Sequence, residues 1–218
     1  MTVRAKIFFC AALMLFLMPS AVRAHPHVLV EAKSEVVFDE AGKMKSVRHV
    51  WQFDPAFSAY AIQGLDENGD GKLSDEELQP LAKINVESLH EFDFFTYLEI
   101  DGVALEFAEP EEYWLELIGA GLTLFYELPL KTPVAVAPDT TLEVFDPEYF
   151  VAFTFVKDDP ITLVNAPSNC TSVYHPPGEI DAQTMAMLNA LPSDQRELPE
   201  DLAGAANELA DVAEIKCP

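Results

Sequence analysis

The sequence predicts an α+β, mainly β protein: an antiparallel sandwich-like domain with a helical insert near its start and helices at its C-terminal end. Three observations carry this. Half the residues are apolar, so the chain can bury a sizeable core. Short alternating runs punctuated by turn residues recur along the chain. Sixteen prolines argue against a helical bundle or coiled coil.

Residues 1–24 carry Arg4 and Lys6, the apolar run Ile7 to Met18, and then Val22-Arg23-Ala24. That order is a signal peptide with cleavage expected after Ala24, an uncleaved signal anchor being the alternative. The run is short for a membrane span. The mature chain is therefore expected to be periplasmic or secreted, with no transmembrane segment. The rest divides into a β-rich domain over 25–170, with the insert at about 55–92, and a segment over 171–218 of irregular chain and helices.

Val28 to Asp39 alternates: Val28, Val30, Ala32, Ser34, Val36 and Phe38 share one face, and His27, Glu31, Lys33 and Glu35 the other. Lys45 to Phe53 alternates again, with Val47, His49, Trp51 and Phe53 together. With the turn Glu40-Ala41-Gly42-Lys43 between them, these predict a hairpin. Pro55 to Leu65 and Asp75 to Phe92 are predicted helices, with Pro80 a possible kink near the start of the second. Strands are predicted over Thr96–Ile100, Val103–Phe107, Tyr113–Ile118, Leu122–Leu128, Thr141–Phe145, Phe150–Val156 and Ile161–Asn165. Asn169 to Gly178 is predicted irregular. Asp181–Leu191 and Pro199–Ile215 are predicted helical.

The chain has 13 Lys+Arg against 37 Asp+Glu, a formal charge of −24. Losing the signal removes three basic residues and no acid, so the mature chain is more acidic still. Such a surface excludes general nucleic-acid binding and disfavours anionic membranes. It suits cations.

One loop is specific. Residues 66–77 read Asp-Glu-Asn-Gly-Asp-Gly-Lys-Leu-Ser-Asp-Glu-Glu. Asp66, Asn68 and Asp70 stand at positions 1, 3 and 5 of an EF-hand calcium loop, and Gly71 provides the turn at position 6. Lys72 gives its carbonyl, Leu73 is the apolar anchor, Ser74 acts through water, and Glu77 supplies two oxygens. Predicted helices on both sides complete the motif, so the helical insert is an EF-hand insert with Ca2+ as the expected ligand. The bland alternative is an acidic turn between two helices. A lone hand predicts a structural or weak site rather than a switch.

All five histidines follow Ala24. Cleavage would leave His25-Pro26-His27 at the new terminus, with an α-amine and two imidazoles. Pro26 lacks an amide N–H, which blocks a square-planar amide site. Imidazole ligation by His25 and His27 remains, suited to zinc, copper or nickel; the alternative is two polar residues at a terminus. His49, beside Trp51 on the apolar face, is read first as a core residue. His90, His175, Asp146 and Glu148 are weaker ligand candidates. Cys170 and Cys217, an even pair in an exported chain, predict a disulfide; a two-thiolate metal site lacks the close spacing. Nucleophile elbows, phosphate loops, dinucleotide fingerprints and zinc-protease helices are absent from the sequence, so no catalysis is expected.

His25-Pro26-His27-Val28, Trp51-Gln52-Phe53-Asp54 with Phe57-Ser58, the EF-hand-like insert, and Asp146-Pro147-Glu148-Tyr149 with Cys170 together resemble one bacterial family, domain-of-unknown-function family 1007. The resemblance runs from about His25 to about Cys170. Members are labelled periplasmic components of an ABC-type transport system. They are associated with permeases of the nickel/cobalt-exporter-like type and linked to zinc handling. The resemblance thus implies binding of Zn2+ (or Ni2+/Co2+) at His25 and His27, and an inner-membrane metal permease as partner. Three readings follow: a calcium-loaded accessory protein that delivers a divalent transition metal (zinc, nickel or cobalt), a calcium-stabilised structural or interaction module, and a copper enzyme built on the N-terminal histidine.

Overall fold

A computed structural model describes residues 26–192, 195 and 198–218. The expected signal segment and His25 lie outside the described residues. Strands β1 (Val28–Phe38) and β2 (Met44–Phe53) form the predicted hairpin, in the register Ala32 opposite Trp51 and Ser34 opposite His49. Its turn is closed by Asp39, whose Oδ1 accepts the Ala41 and Lys43 amides at 2.9 Å each. Gly42 takes φ +73°, a left-handed value that glycine adopts without a Cβ penalty.

Helix α1 (Pro55–Ala61) and helix α2 (Asp75–Leu89) follow, then a 3₁₀ segment, His90–Phe95. Ser74 and Glu77 form a reciprocal capping box at the start of α2. Leu78, Ala82 and Val86, four residues apart, bury one stripe of the helix. The helix continues across Pro80, which lies inside it in the second turn. It stops earlier than Phe92: Asp93, Phe94 and Phe95 all have φ near +50°. That left-handed run is costly for non-glycine residues. Phe94 and Phe95 are both buried in the main core, which offsets the cost.

The remaining strands are β3 (Thr96–Ile100), β4 (Val103–Ala104), β5 (Tyr113–Ile118), β6 (Gly121–Val134), β7 (Thr140–Val144), β8 (Val151–Phe155), β9 (Ile161–Val164), β10 (Thr171–His175) and β11 (Asp211–Lys216). Helices α3 (Ala182–Asn189) and α4 (Ala203–Glu208) lie between the last two. One sheet runs β5-β6-β2-β1-β8, with β9 also on β1; the other runs β10-β11-β7-β3-β4. Both sheets feed one core, which holds Trp51, Leu124 and Tyr126 from the first and Leu98, Leu142 and Ile215 from the second. The protein is thus α+β and mainly β, with antiparallel pairing predominating.

Three expectations change. β8 and β9 pair with β1 in parallel, β8 along its first half and β9 along its second. Alternation fixes which side chains face the core but not strand direction, so the sequence pattern was silent on this. Pro199–Ile215 is not one helix: α4 covers six residues, and β11 then runs between β10 and β7. Asp211, Ala213 and Ile215 face inward from it at a period of two. The stretch from Thr171 to His175, expected irregular, is the edge strand β10. Asn169–Gly178 lacks apolar alternation because only one face of an edge strand is half-covered.

The Cys170–Cys217 disulfide is formed, across a sequence separation of 47. It joins the end preceding β10 to the end following β11. In the chain-entropy view a loop of that length contributes about 4 kcal/mol.

Candidate calcium loop and histidine site

The loop 66–77 folds back over its own carboxylates. Asp66 Oδ1 accepts the Gly69 and Asp70 amides at 2.8 and 3.1 Å, and its Oδ2 accepts Gly71 N at 2.9 Å. Asn68 Oδ1 accepts Asp70 N, and Asp70 Oδ1 accepts Lys72 N, both at 2.8 Å. Gly69 and Gly71 have φ of +73° and +77°, which permit the tight reversal. Glu77 closes the loop from its far end: Oε1 accepts Glu67 N at 3.0 Å and Oε2 accepts Ser74 N at 2.9 Å. The Ser74 amide first, then the Asn68 and Glu67 amides, hold the Glu77 carboxyl below its usual range despite opposing desolvation. Leu73 packs against the core, as an apolar loop anchor should.

This donor set fits a hard oxygen-seeking cation in kind and in order along the chain. It is not gathered around a point. Among the described residues no three His, Cys, Asp or Glu side chains are grouped closely enough to hold a metal ion. In this conformation the loop's backbone amides donate to the side-chain oxygens of Asp66, Asn68, Asp70 and Glu77, each of which keeps acceptor capacity for a further partner.

The insert is tied firmly to the sheet. Asp54 caps α1 through Oδ1, which accepts Ala56 N at 2.9 Å and Phe57 N at 3.0 Å. Its Oδ2 accepts Leu29 N at 3.1 Å, joining the helix entry to β1. Ser58 Oγ, buried, donates to the Asp54 carbonyl at 2.8 Å and accepts Leu122 N at 2.9 Å. In the sequence these two residues stand out only as part of the stretch Trp51-Gln52-Phe53-Asp54 with Phe57-Ser58. Their position, a strand end followed by Asp-Pro, is an N-cap signal that could have given Asp54 its role.

His27 is exposed where the chain enters β1. Its amide donates to Phe150 O at 2.8 Å, and its ring stacks on Phe150 with centroids 4.4 Å apart. Phe150 follows the turn Asp146-Pro147-Glu148-Tyr149. Buried Asp146 shapes that turn: Oδ1 accepts Glu148 N at 2.8 Å, and Oδ2 accepts Phe150 N and Val151 N at 2.9 Å each. The fold therefore carries His27 to the segment that holds Asp146 and Glu148, more than a hundred residues later in the chain.

The other histidines are engaged elsewhere. His49 lies in the core, with Ser34 Oγ 2.9 Å from Nδ1 and Thr96 Oγ1 3.2 Å from Nε2. Thr96 Oγ1 donates to Phe94 O, so it accepts from Nε2–H, and Nδ1 accepts from Ser34. Burial pushes the ring down to a pKa of about 3, and it bridges the two sheets as a neutral group. His90 Nδ1 meets Glu109 at 2.8 Å, and His175 Nε2 meets Glu214 at 3.3 Å; both pairs are exposed. His49, His90 and His175 do not come together with His27.

Sequence reasoning passed over one further group. Asp211, at the start of β11, is buried, and its Oδ1 accepts the Tyr174 hydroxyl. Its Oδ2 is buried without a hydrogen-bond partner. Desolvation raises this carboxyl to about 6 against the opposing effect of Tyr174. A single acid within Leu209-Ala210-Asp211-Val212-Ala213 was the only hint.

A family model described as "Protein of unknown function (DUF1007)" matches residues 10–217. The chain belongs to this DUF1007 family. The match reaches past Cys170 through β11, in keeping with the place of that strand inside the second sheet. An uncharacterized protein of Haemophilus influenzae is 23% identical over 184 residues, covering 83% of this chain and 86% of the relative. An uncharacterized 15.5 kDa protein from the trpE 3' region of Spirochaeta aurantia is 31% identical over 108 residues, 47% of this chain and 73% of that protein. Among the described residues of this DUF1007 protein, no helix is long and apolar enough to cross a membrane.

Proposed function

We propose that this DUF1007 protein is an exported, calcium-binding accessory protein that holds a divalent transition metal at His25 and His27 and passes it to an inner-membrane transporter. Zinc, nickel and cobalt are the candidate cargoes. The observation that carries the calcium part is the loop 66–77, closed at both ends by Asp66 and Glu77 around two left-handed glycines. Bound calcium would supply the positive charge that draws these carboxylates together. The metal part is supported by the placement of His27 on Phe150, beside a turn that carries two further carboxylates. Imidazole and carboxylate ligands suit these ions.

A second reading is favoured by a separate observation. Helix α2, which leaves the loop, buries Leu78, Ala82 and Val86 in the main core. Calcium would then serve chiefly to stabilise an interaction module, with no transition-metal role.

Calorimetry on the chain beginning at His25 separates the two. Zinc, nickel and cobalt are titrated with calcium saturating, beside a His25→Ala/His27→Ala variant. The first reading expects one tight site that weakens at least tenfold in the variant. Weak binding that the substitutions leave unchanged would refute it. Calcium itself is titrated into wild type and Glu77→Gln. Equal calcium affinity in both would refute the loop assignment.

A further inference from the structure

A narrow cleft enters the molecule between the C-terminal half of α2 and the β1–β8 pair. Its outer part, about 190 Å³, is walled by Ser88, Phe92, Phe150, Asp146 and Glu148. Its inner part, about 130 Å³, reaches Trp51, Phe57, Leu124 and Phe153. The two parts share Asn85, Leu89, Phe95 and Val151 as walls, so they lie side by side with only these side chains between them.

Two facts about this space stand apart from the calcium loop and the histidines. Protein interiors are close-packed, and voids much larger than a water molecule, roughly 30 Å³, are few. An apolar void of this size is therefore a feature the core would otherwise close. Trp51, which lines the inner end, is 1% exposed, and its Nε1 is buried with no hydrogen-bond partner. Buried donors are nearly always satisfied. A ligand with an apolar body and an acceptor at its inner end would fill the void and satisfy the donor together.

Charge narrows the class. Asp146 and Glu148 are the charged residues of the lining, and the chain as a whole has a formal charge of −24. An anionic ligand would be repelled. We propose that this cleft is a binding site for a small neutral or cationic amphiphile, whose apolar body lies against Leu89, Phe95 and Val151 and whose acceptor meets Trp51 Nε1. Apolar walls with a few convergent polar groups are the usual form of small-molecule sites. The site adjoins His27, because Phe150 is both a wall of the cleft and the platform under the His27 ring. It does not depend on any metal being bound there.

The test uses the whole mature protein and prodan, a neutral naphthalene ketone. Prodan should bind with one-to-one stoichiometry and a blue-shifted emission. In a 15N correlation spectrum the Trp51 indole resonance should move on titration. Trp114, the other tryptophan, is 44% exposed and stacked on Phe125, so its resonance should stay in place. Leu89→Phe and Val151→Phe each add bulk at the shared walls, and each should weaken prodan at least tenfold while circular dichroism is retained. Two variants guard against one failing to fold. Absent prodan binding, unchanged affinity in both filled variants, or movement of Trp114 in place of Trp51 would overturn the proposal. Binding of the anionic dye 1-anilinonaphthalene-8-sulfonate as tight as that of prodan would overturn the assigned charge class.

Discussion

Replacing Asp211 by Asn should flatten the pH dependence of stability between pH 4 and 7.5. In the fold this carboxyl is buried, keeps one bond from Tyr174, and leaves Oδ2 unpaired. Its pKa rises from 3.8 to about 6, chiefly through desolvation. A raised acid pKa means the folded state holds the proton more tightly than the unfolded chain. The stabilisation is fully present below the unfolded value and disappears as pH climbs through about 6. Linkage puts this at about 2 to 3 kcal/mol lost between pH 4 and 7.5. Asn keeps an acceptor for Tyr174 but cannot ionise. Its amide nitrogen would sit where no partner exists, at a constant cost of about 1–3 kcal/mol. That cost shifts the variant's curve without tilting it. Urea unfolding of both proteins at pH 4, 5, 6 and 7.5, with the disulfide intact, measures the difference directly. The many other carboxylates cancel in the comparison, since both proteins share them. The variant should gain about 2 to 3 kcal/mol on the wild type across the range. Parallel stability curves would refute the reasoning, because they would mean that Asp211 titrates in the fold as it does in the open chain.

His49 pulls the other way. With its pKa near 3 in the fold, it stays neutral while the unfolded chain takes up a proton below about 6.5, so stability falls as pH drops through that range. Its ring carbon protons should not titrate between pH 4 and 8 by NMR, and a midpoint above 5 would contradict the burial argument. His49→Leu should cost about 1–3 kcal/mol in urea unfolding, since Ser34 Oγ loses its bond to Nδ1. Replacing both Cys170 and Cys217 by Ser should lower stability by about 4 kcal/mol, the value for a closed loop of this length. A loss under about 1 kcal/mol would show that β11 is held by its ladders with β7 and β10 alone.

Local chemistry was legible in the sequence. The β1–β2 hairpin followed from alternation and a glycine turn. The helices on either side of the loop 66–77 followed from their apolar spacing, while the capping box of Ser74 and Glu77 emerged only in the structure. The cysteine pairing followed from an even pair, Cys170 and Cys217, in a chain expected to be exported. His49 read correctly as a core residue because it shares a face with Val47 and Trp51. Each of these rests on neighbours in the chain, where spacing translates directly into geometry.

Only the tertiary structure decided the rest. Whether β8 and β9 run parallel to β1 depends on how the chain crosses between sheets, which no two-residue period records. The segment from Asp211 to Lys216 suits a helix end as well as a strand; the gap between β7 and β10 makes it a strand. Asp54 and Ser58 become the joints of the insert only once β1 and β6 lie beside them. The proximity of His27 to Phe150, and the cleft that ends on Trp51, arise from contacts between distant parts of the chain. The sequence by itself determined which residues have polar chemistry and which stretches can pair or coil. Their meeting places were set by packing, because burial of one shared core selects among pairings that local preference leaves equal.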